Sequence, residues 1–261
     1  MLDVISQTVL SFFLSAILVI IITVIAEKYG TKVGGILGTL PSTIVVAFIF
    51  FSINKGLFFA SEAASVIPAE LGINLIFLCI FAILVFYSIY LAFALSFVIW
   101  GFCSFLLIVL DFSNIYLSSL IYVILLLFTF IILEYVKKIP SKSKVSVRYT
   151  PLKIMFRGIL AGVVIALAVY LSNVGSVISG IFSVFPAILT STMLICYKEH
   201  GPNFAAGMAK SMIFGISSVA VYATSIHFLY PEIGLVYGSI ISYIISIFTT
   251  IIIFKLKDKI K

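Results

Sequence analysis

The chain has 261 residues, of which 63% are apolar and only 10% are charged, and its formal net charge is +7. A soluble domain cannot cover that much apolar surface, so the composition indicates a protein embedded in lipid. Outer-membrane barrels alternate apolar and polar residues over strands of about 10 positions. The runs here are continuously apolar, which favours helices and excludes a barrel.

Nine apolar runs reach the length of a spanning helix, which needs about 20 residues. They cover residues 7–26, 33–53, 66–86, 89–110, 115–136, 154–172, 177–197, 206–228 and 234–254. The uncharged region 71–110 is too long for one span, so we expect a break near residues 86–88. We expect an outer loop over residues 55–68, with Glu62 and Glu70 near that face. The sequence thus predicts an all-α polytopic membrane protein with about nine transmembrane helices.

The placement of lysine and arginine predicts the orientation. With nine spans and the N-terminus outside, 15 of the 16 basic residues fall on the inner side, Arg157 among them, and only Lys55 falls outside. Excess Lys and Arg in short loops marks the cytoplasmic side. We therefore expect a multi-pass protein of the plasma membrane with a cytoplasmic C-terminus. Membrane lipids are the expected partners, and no nucleic acid is expected.

Two stretches share one design at an offset of 145 residues. Residues 30–56 lie over residues 175–201 without a gap, and five positions are identical: Gly30 and Gly175, Gly35 and Gly180, Ile36 and Ile181, Pro41 and Pro186, Gly56 and Gly201. A fifth span without a counterpart separates the copies and would invert the second one. We therefore predict two inverted four-helix repeats, at 1–110 and 152–261, joined by a linking transmembrane helix and basic cytoplasmic loop at 111–151. Chance similarity between two glycine- and proline-containing spans is the alternative.

Each matched span carries a proline followed by hydroxyl side chains. Proline removes a backbone donor and frees carbonyl groups, which in lipid must find a partner or line a cavity. The candidate substrate-binding residues are Gly38, Pro41, Ser42, Thr43, Pro186, Thr190, Ser191 and Thr192. The alternative is that these hydroxyls bond carbonyls of their own helix or join helices to each other.

Motifs for hydrolytic, redox and nucleotide chemistry are missing from the sequence, including a Ser/His/Asp set, a CxxC pair, a phosphate loop and an HExxH helix. Cys79, Cys103 and Cys196 are far apart and are expected to be core residues. The acidic and histidine side chains fall near predicted span ends, so a proton relay through the centre is not expected. We expect no enzymatic activity, no cofactor and no metal.

The residues 178–201 resemble the GlpM-like family of small bacterial inner-membrane proteins. The matching letters are Gly180, Phe185, Pro186, Thr190, Glu199 and Gly201. The chain departs from the family pattern at His200, where arginine is expected. The resemblance implies a four-helix unit, here duplicated and fused, and a link to exopolysaccharide production.

These features predict a secondary transporter or permease that moves a small solute, an ion or a lipid-like molecule through a site between two proline-broken helices. The alternative is a non-transporting membrane subunit that supports envelope polysaccharide or lipid synthesis. A polar cavity reaching Ser42 or Thr190 would favour transport, whereas hydroxyls bonded to their own helix would favour the alternative. The substrate, the coupling ion and the formation of a homo-oligomer stay open.

Overall fold

A computed structural model describes residues 4–28, 40–139 and 150–259 of the chain. The regular structure in these ranges is helical and contains no strand. The α-helices there are α1 (Val4–Lys28), α2 (Ser42–Lys55), α3 (Leu57–Ser65), α4 (Ile67–Leu84), α5 (Ile89–Val109), α6 (Ile115–Ile131), α7 (Pro151–Leu171), α8 (Ser176–Ser183), α9 (Ala187–Gly215) and α10 (Ser217–Lys259). A π-helical turn, Ile132–Val136, extends α6. The all-α class predicted from the sequence is confirmed for these residues.

Six helical stretches in the described ranges are long and apolar enough to cross a membrane. They are Val4–Ile25, Leu57–Leu84, Ile89–Val109, Ile115–Val136, Pro151–Leu171 and Ser176–Ile253. The last stretch is not one straight helix, because the backbone leaves the helical region at Gly201 and Gly234. The described fold is therefore that of an α-helical protein suited to a membrane.

The outer helices expose large apolar side chains at helical spacing. On α5 these include Val98, Phe102 and Phe105, and on α10 they include Ile240 and Ile244. Apolar stripes of this length on a protein surface indicate contact with lipid rather than water.

The consecutive helices α3 and α4 form the buried centre of the protein. Of an apolar 18-residue window in Leu57–Leu84, 83% is buried, against 22% in α5. Ala60, Ala63 and Ala64 on α3 are fully buried, and α3 packs against α8 and α10. The predicted outer loop over residues 55–68 is therefore wrong, because small side chains allow this weakly apolar segment to pack as a helix inside the bundle.

The helices α1 and α7 pack closely and run antiparallel. A Cβ atom added at Gly158 would lie 3.0 Å from the Ala16 carbonyl oxygen, and one added at Gly162 would lie 2.8 Å from the Phe12 carbonyl oxygen. As residue numbers increase along α7, the numbers of the residues that they contact on α1 decrease, so the two helices run antiparallel. Two glycines four residues apart give α7 the flat surface that this approach requires.

Both prolines of the sequence repeat precede a helix. Pro186 separates α8 from α9 with φ −75° and ψ 36°, which confirms the predicted break. Pro41 directly precedes α2 with φ −76° and ψ 50°, and residues 29–39 before it lie outside the described ranges. The predicted turn near residues 86–88 is also confirmed, because α4 ends at Leu84 and α5 begins at Ile89.

Gly56 and Gly201, which lie fifteen residues after Pro41 and Pro186, share an unusual backbone conformation. Gly56 has φ 91° and ψ 168°, and Gly201 has φ 76° and ψ −175°. This region of the backbone map is accessible essentially to glycine alone. Gly56 and Gly201 therefore interrupt their helices in the same way at positions 145 residues apart, and Gly234 adopts the same conformation with φ 79° and ψ −179°.

Candidate functional site

The hydroxyl groups that follow Pro186 bond to their own helix. Thr190 Oγ1 donates to the Pro186 carbonyl at 2.7 Å, and Ser191 Oγ donates to the Ile188 carbonyl at 3.1 Å. Thr192 Oγ1 donates to the same Ile188 carbonyl at 2.7 Å. This is the arrangement that the sequence alternative anticipated for these side chains.

The residues around the first proline are also enclosed by protein. Pro41 and Ser42 are buried and Thr43 is half-buried, while Gly38 lies outside the described residues. The helix α2 that they open contacts α7 and α8. Among the described hydrogen bonds, none joins the hydroxyls after Pro41 to those after Pro186, so the two groups are not linked directly.

A buried arginine contacts one of the candidate residues. The Arg157 guanidinium donates from Nη1 to Thr192 Oγ1 at 2.7 Å, and only 9% of the arginine is exposed. We counted Arg157 among the basic residues between the fifth and sixth spans, but it is a buried residue inside a helix. Arg157 lies in the second turn of α7, and α7 packs against α9, which carries Thr192.

Glu70 is fully buried at the centre of the protein. Its two carboxylate oxygens lie 2.9 and 3.0 Å from Ser104 Oγ on α5, which donates to them. Among the described residues, no Lys, Arg or His nitrogen pairs with this carboxylate. The expectation that Glu70 lies near an outer span end is therefore wrong. Because α3 is a helix, Glu70 falls in the middle of the stretch Leu57–Leu84.

Asn74 lies one helical turn after Glu70 and reaches the break between α8 and α9. Its Nδ2 donates to the Val184 carbonyl at 2.8 Å, and only 1% of the residue is exposed. Val184 stands two residues before Pro186, where the helical hydrogen-bond ladder is interrupted. The side-chain oxygen Oδ1 of Asn74 is buried and accepts no hydrogen bond from the described residues. Asn74 therefore satisfies a carbonyl of the broken helix and retains one vacant acceptor.

Aromatic side chains pack on Phe185, the residue that follows Val184. The Trp100 ring packs edge-on against Phe185 at 4.8 Å between centroids, and Phe97 stacks on Phe185 at 6.0 Å. Trp100 and Ser104 are four residues apart on α5 and so share a helix face. We call Glu70, Asn74, Trp100, Ser104 and the Val184 carbonyl the Glu70 centre. It joins α4 and α5 to the break at Pro186.

The residues of the Glu70 centre are not among the candidate site residues predicted from the sequence. The signal that could have found it was the Glu70-x-x-x-Asn74 spacing at the start of a long uncharged run. Polar side chains four residues apart share one helix face, and such residues inside apolar spans are costly and commonly functional. The signal was missed because residues 55–68 were interpreted as a loop, which put Glu70 at a surface.

Ion pairs join several helices at another part of the fold. Lys153 on α7 pairs with Glu199 on α9, and Lys210 on α9 pairs with Glu134 after α6 at 2.7 Å. Lys210 is buried and also donates to the Ile139 carbonyl. These contacts bring together the start of α7, the end of α6 and two parts of α9.

The fold and the Glu70 centre define an all-helical protein with apolar outer faces, long helices suited to a membrane, and ionisable groups buried between them. Neither a family model, a curated protein nor a solved structure matches the chain. The resemblance to the GlpM-like family therefore stays a prediction.

Proposed function

We propose that this chain is a secondary transporter or permease of the plasma membrane. It would move a small solute, an ion or a lipid-like molecule between two proline-broken helices, one opened by Pro41 and the other by Pro186. The observation that carries the proposal is the interrupted helix at Val184–Pro186. It lies inside the protein, and a buried side chain from α4 holds its carbonyl. Irregular backbone at membrane depth is tolerated only where protein or a wet cavity surrounds it, and transporters place their sites there.

Inverted repeats are part of this proposal, and two observations support them. The proline and glycine conformations recur at the offset of 145 residues that the sequence indicated. The helices α1 and α7, the first of each proposed repeat, run antiparallel. Gly158 faces Ala16 and Ile20, and Gly162 faces Phe12. Antiparallel packing of these two helices is what inverted copies require.

A nine-span topology with the N-terminus outside follows from the same division. The kinks at Gly201 and Gly234 divide Ser176–Ile253 into three crossings. The span predicted from the sequence over residues 33–53, whose described part includes most of α2, is counted as another. The ion pairs of Lys153 with Glu199 and of Lys210 with Glu134 join helix ends that this topology assigns to the cytoplasmic side. Ends that contact each other share a side, so these pairs support the grouping of these helix ends in the nine-span topology.

A non-transporting membrane subunit for envelope polysaccharide or lipid synthesis is the second candidate. The observation that favours it is the bonding of Thr190, Ser191 and Thr192 to carbonyls of their own helix. Those bonds leave fewer groups to coordinate a solute. The predicted resemblance to the GlpM-like family, which implies a link to exopolysaccharide production, also favours this candidate.

Thiol accessibility separates the two candidates without knowledge of the substrate. The native cysteines at 79, 103 and 196 are first replaced by serine or alanine, and single cysteines are placed at Ser42 and Thr190. Membrane vesicles are then treated with a charged, membrane-impermeant thiol reagent added to either side. A solute path predicts labelling of both positions, because water must reach them when the path opens.

Two control positions calibrate the labelling. Lys198→Cys lies at an exposed helix position and should react, whereas Val98→Cys on the apolar surface of α5 should not. If Ser42→Cys and Thr190→Cys are as unreactive as Val98→Cys from both sides, no solute path passes these residues. That result would overturn the transporter and favour the subunit.

A further inference from the structure

We propose that Glu70 is a proton-binding carboxyl group and that its proton controls how Asn74 holds the broken helix at Val184. The neutral carboxyl would donate its O–H to the Oδ1 atom of Asn74. This inference rests on the proposed function for its purpose, because it supplies the coupling ion of a transporter. The protonation itself is independent of transport and is tested separately.

The first argument is the environment of the carboxyl group. Glu70 is fully buried, and the described residues place no cationic side chain beside it. A buried carboxylate without a counter-charge is strongly disfavoured, and the usual resolution is that it takes up a proton. The hydroxyl of Ser104 donates to the carboxyl oxygens at 2.9 and 3.0 Å but brings no net charge. Burial therefore favours the neutral acid.

The second argument is the vacant acceptor on the next turn of the same helix. Asn74 Oδ1 is buried and accepts no hydrogen bond from the described residues. A buried acceptor without a donor costs about 1–3 kcal/mol, so a donor is expected nearby. Side chains four residues apart on a helix are neighbours. The Glu70 centre offers two donors for this atom: the O–H of a protonated Glu70, and Trp100 Nε1–H, which is buried without a partner among the described residues. We infer the O–H of Glu70, because Glu70 shares a helix face with Asn74.

A metal ion suits the same group less well than a proton. The side-chain oxygens of the Glu70 centre are the two of Glu70, Oδ1 of Asn74 and Oγ of Ser104. Hard cations of the calcium type take about six to eight oxygen ligands. In the described residues, no group of three or more His, Cys, Asp or Glu side chains could hold a metal.

The neighbouring elements bring few titratable groups to Glu70. On α5 the Cys103 thiol lies next to Ser104, and on α6 the Tyr122 hydroxyl bonds Ser217. On α3 Glu62 is exposed. Lys210 on α9 pairs with Glu134, and His227 on α10 bonds Ser61. The buried thiols and phenols of the same elements are Cys79 on α4, Cys196 on α9, and Tyr222 and Tyr230 on α10. A pH response at the Glu70 centre is therefore assigned by substitution, beginning with Glu70 and the neighbouring Cys103.

Protonation of Glu70 would connect the carboxyl group to the broken helix through Asn74. A proton from the aqueous phase forms the O–H bond of Glu70, and that O–H donates to Asn74 Oδ1. Asn74 is then fixed at both ends, because its Nδ2 already donates to the Val184 carbonyl. When the O–H bond breaks, the proton returns to water and Asn74 loses one of its two anchors. The break at Pro186 is then held less firmly.

Tryptophan fluorescence reports on the Glu70 centre, because Trp100 is the only tryptophan of the chain. The full-length protein is reconstituted in lipid nanodiscs, and the Trp100 emission is recorded as the pH is varied. We expect one pH-dependent transition in the wild-type protein. Glu70→Gln should remove it, because the amide is neutral at every pH.

Matched variants test two other titratable groups, Glu62 and Cys103. Glu62→Gln changes an exposed carboxylate of the same helical stretch and should leave the transition unchanged. Cys103→Ser should also retain it. If Glu70→Gln does not yield folded protein, Asn74→Leu provides the second test. Removing the acceptor disfavours the protonated form, so the transition should move to lower pH.

Several outcomes would overturn the inference. A wild-type protein whose Trp100 emission is independent of pH would do so, as would a transition that survives Glu70→Gln or disappears with Cys103→Ser. An unchanged transition in Asn74→Leu would remove Asn74 from the step. These results would leave the thiol-labelling test of the solute path unaffected, so the two proposals fail independently.

Discussion

The close contact of α8 with α3 at Gly180 gives a sharp quantitative test. Gly180 on α8 packs against α3, and a Cβ atom added there would lie 2.3 Å from the Ala63 carbonyl oxygen and 3.2 Å from the Ala63 carbonyl carbon. Real Cβ atoms essentially never approach another atom within 3.0 Å, so an alanine here is too close by 0.7 Å. The obstructing atoms belong to the backbone and cannot rotate away, so α8 and α3 must separate.

The cost of Gly180→Ala can be estimated from two opposing terms. Forcing extra atoms into a packed contact costs about 1–3 kcal/mol, and a rigid backbone neighbour puts this case near the upper value. Alanine recovers roughly 0.5–1 kcal/mol, since glycine is the poorer helix former. We expect a net loss of about 2 kcal/mol in the free energy of unfolding. For a chain of this size that lowers the melting temperature by about 4–8 °C.

Thermal unfolding of the purified protein in detergent measures this loss, and Gly101→Ala is the matched control. Gly101 also lies within a helix, but a Cβ atom there meets nothing within 4 Å. Only the propensity term then remains, so Gly101→Ala should be stabilised by about 0.5–1 kcal/mol. If Gly180→Ala is as stable as Gly101→Ala, then Gly180 does not lie against the Ala63 backbone. That result would also refute the buried position of α3.

Three further predictions use other parts of the chain. We expect Gly56→Ala and Gly201→Ala each to lower the free energy of unfolding by roughly 1–3 kcal/mol. The loss would come from backbone strain alone, because nothing lies within 4 Å of either added Cβ. Clearly unequal losses would count against matched repeats. Lys210→Met should cost about 1–3 kcal/mol, because it leaves the Ile139 carbonyl without its donor. Glu134→Gln, whose side chain is 41% exposed, should cost less than about 1 kcal/mol in the same unfolding assay. A fluorescent protein fused to the C-terminus should fluoresce in cells, because we expect this end in the cytoplasm, and a dark but correctly sized fusion would contradict the orientation.

The amino-acid sequence predicted the helix breaks well because they depend on local chemistry. Proline lacks a backbone donor, so the interruption between α8 and α9 follows from Pro186 itself. Gly201 takes a conformation that essentially only glycine accepts, and that property is also local. Apolar composition likewise predicted the helical class, because lipid requires every backbone group to be satisfied within the segment.

The buried ionisable groups could not be predicted in this way. Glu70 was assigned to a surface because the helix α3 before it has small, weakly apolar side chains, which hydropathy does not distinguish from a loop. Arg157 was counted as a loop cation, although it lies inside α7 and reaches Thr192 on a different helix. Burial of such groups depends on neighbours distant in sequence, and a count of charges along the chain contains no information about them.

The sequence by itself determined that this protein is helical, suited to lipid and interrupted at Pro186, because composition and the covalent structure of proline act on the chain where they stand. Only the tertiary structure decided that a carboxyl group and an amide lie beside that interruption. Asn74 and Val184 are 110 residues apart, and their hydrogen bond exists only because α3 and α4 pack at the centre of the bundle.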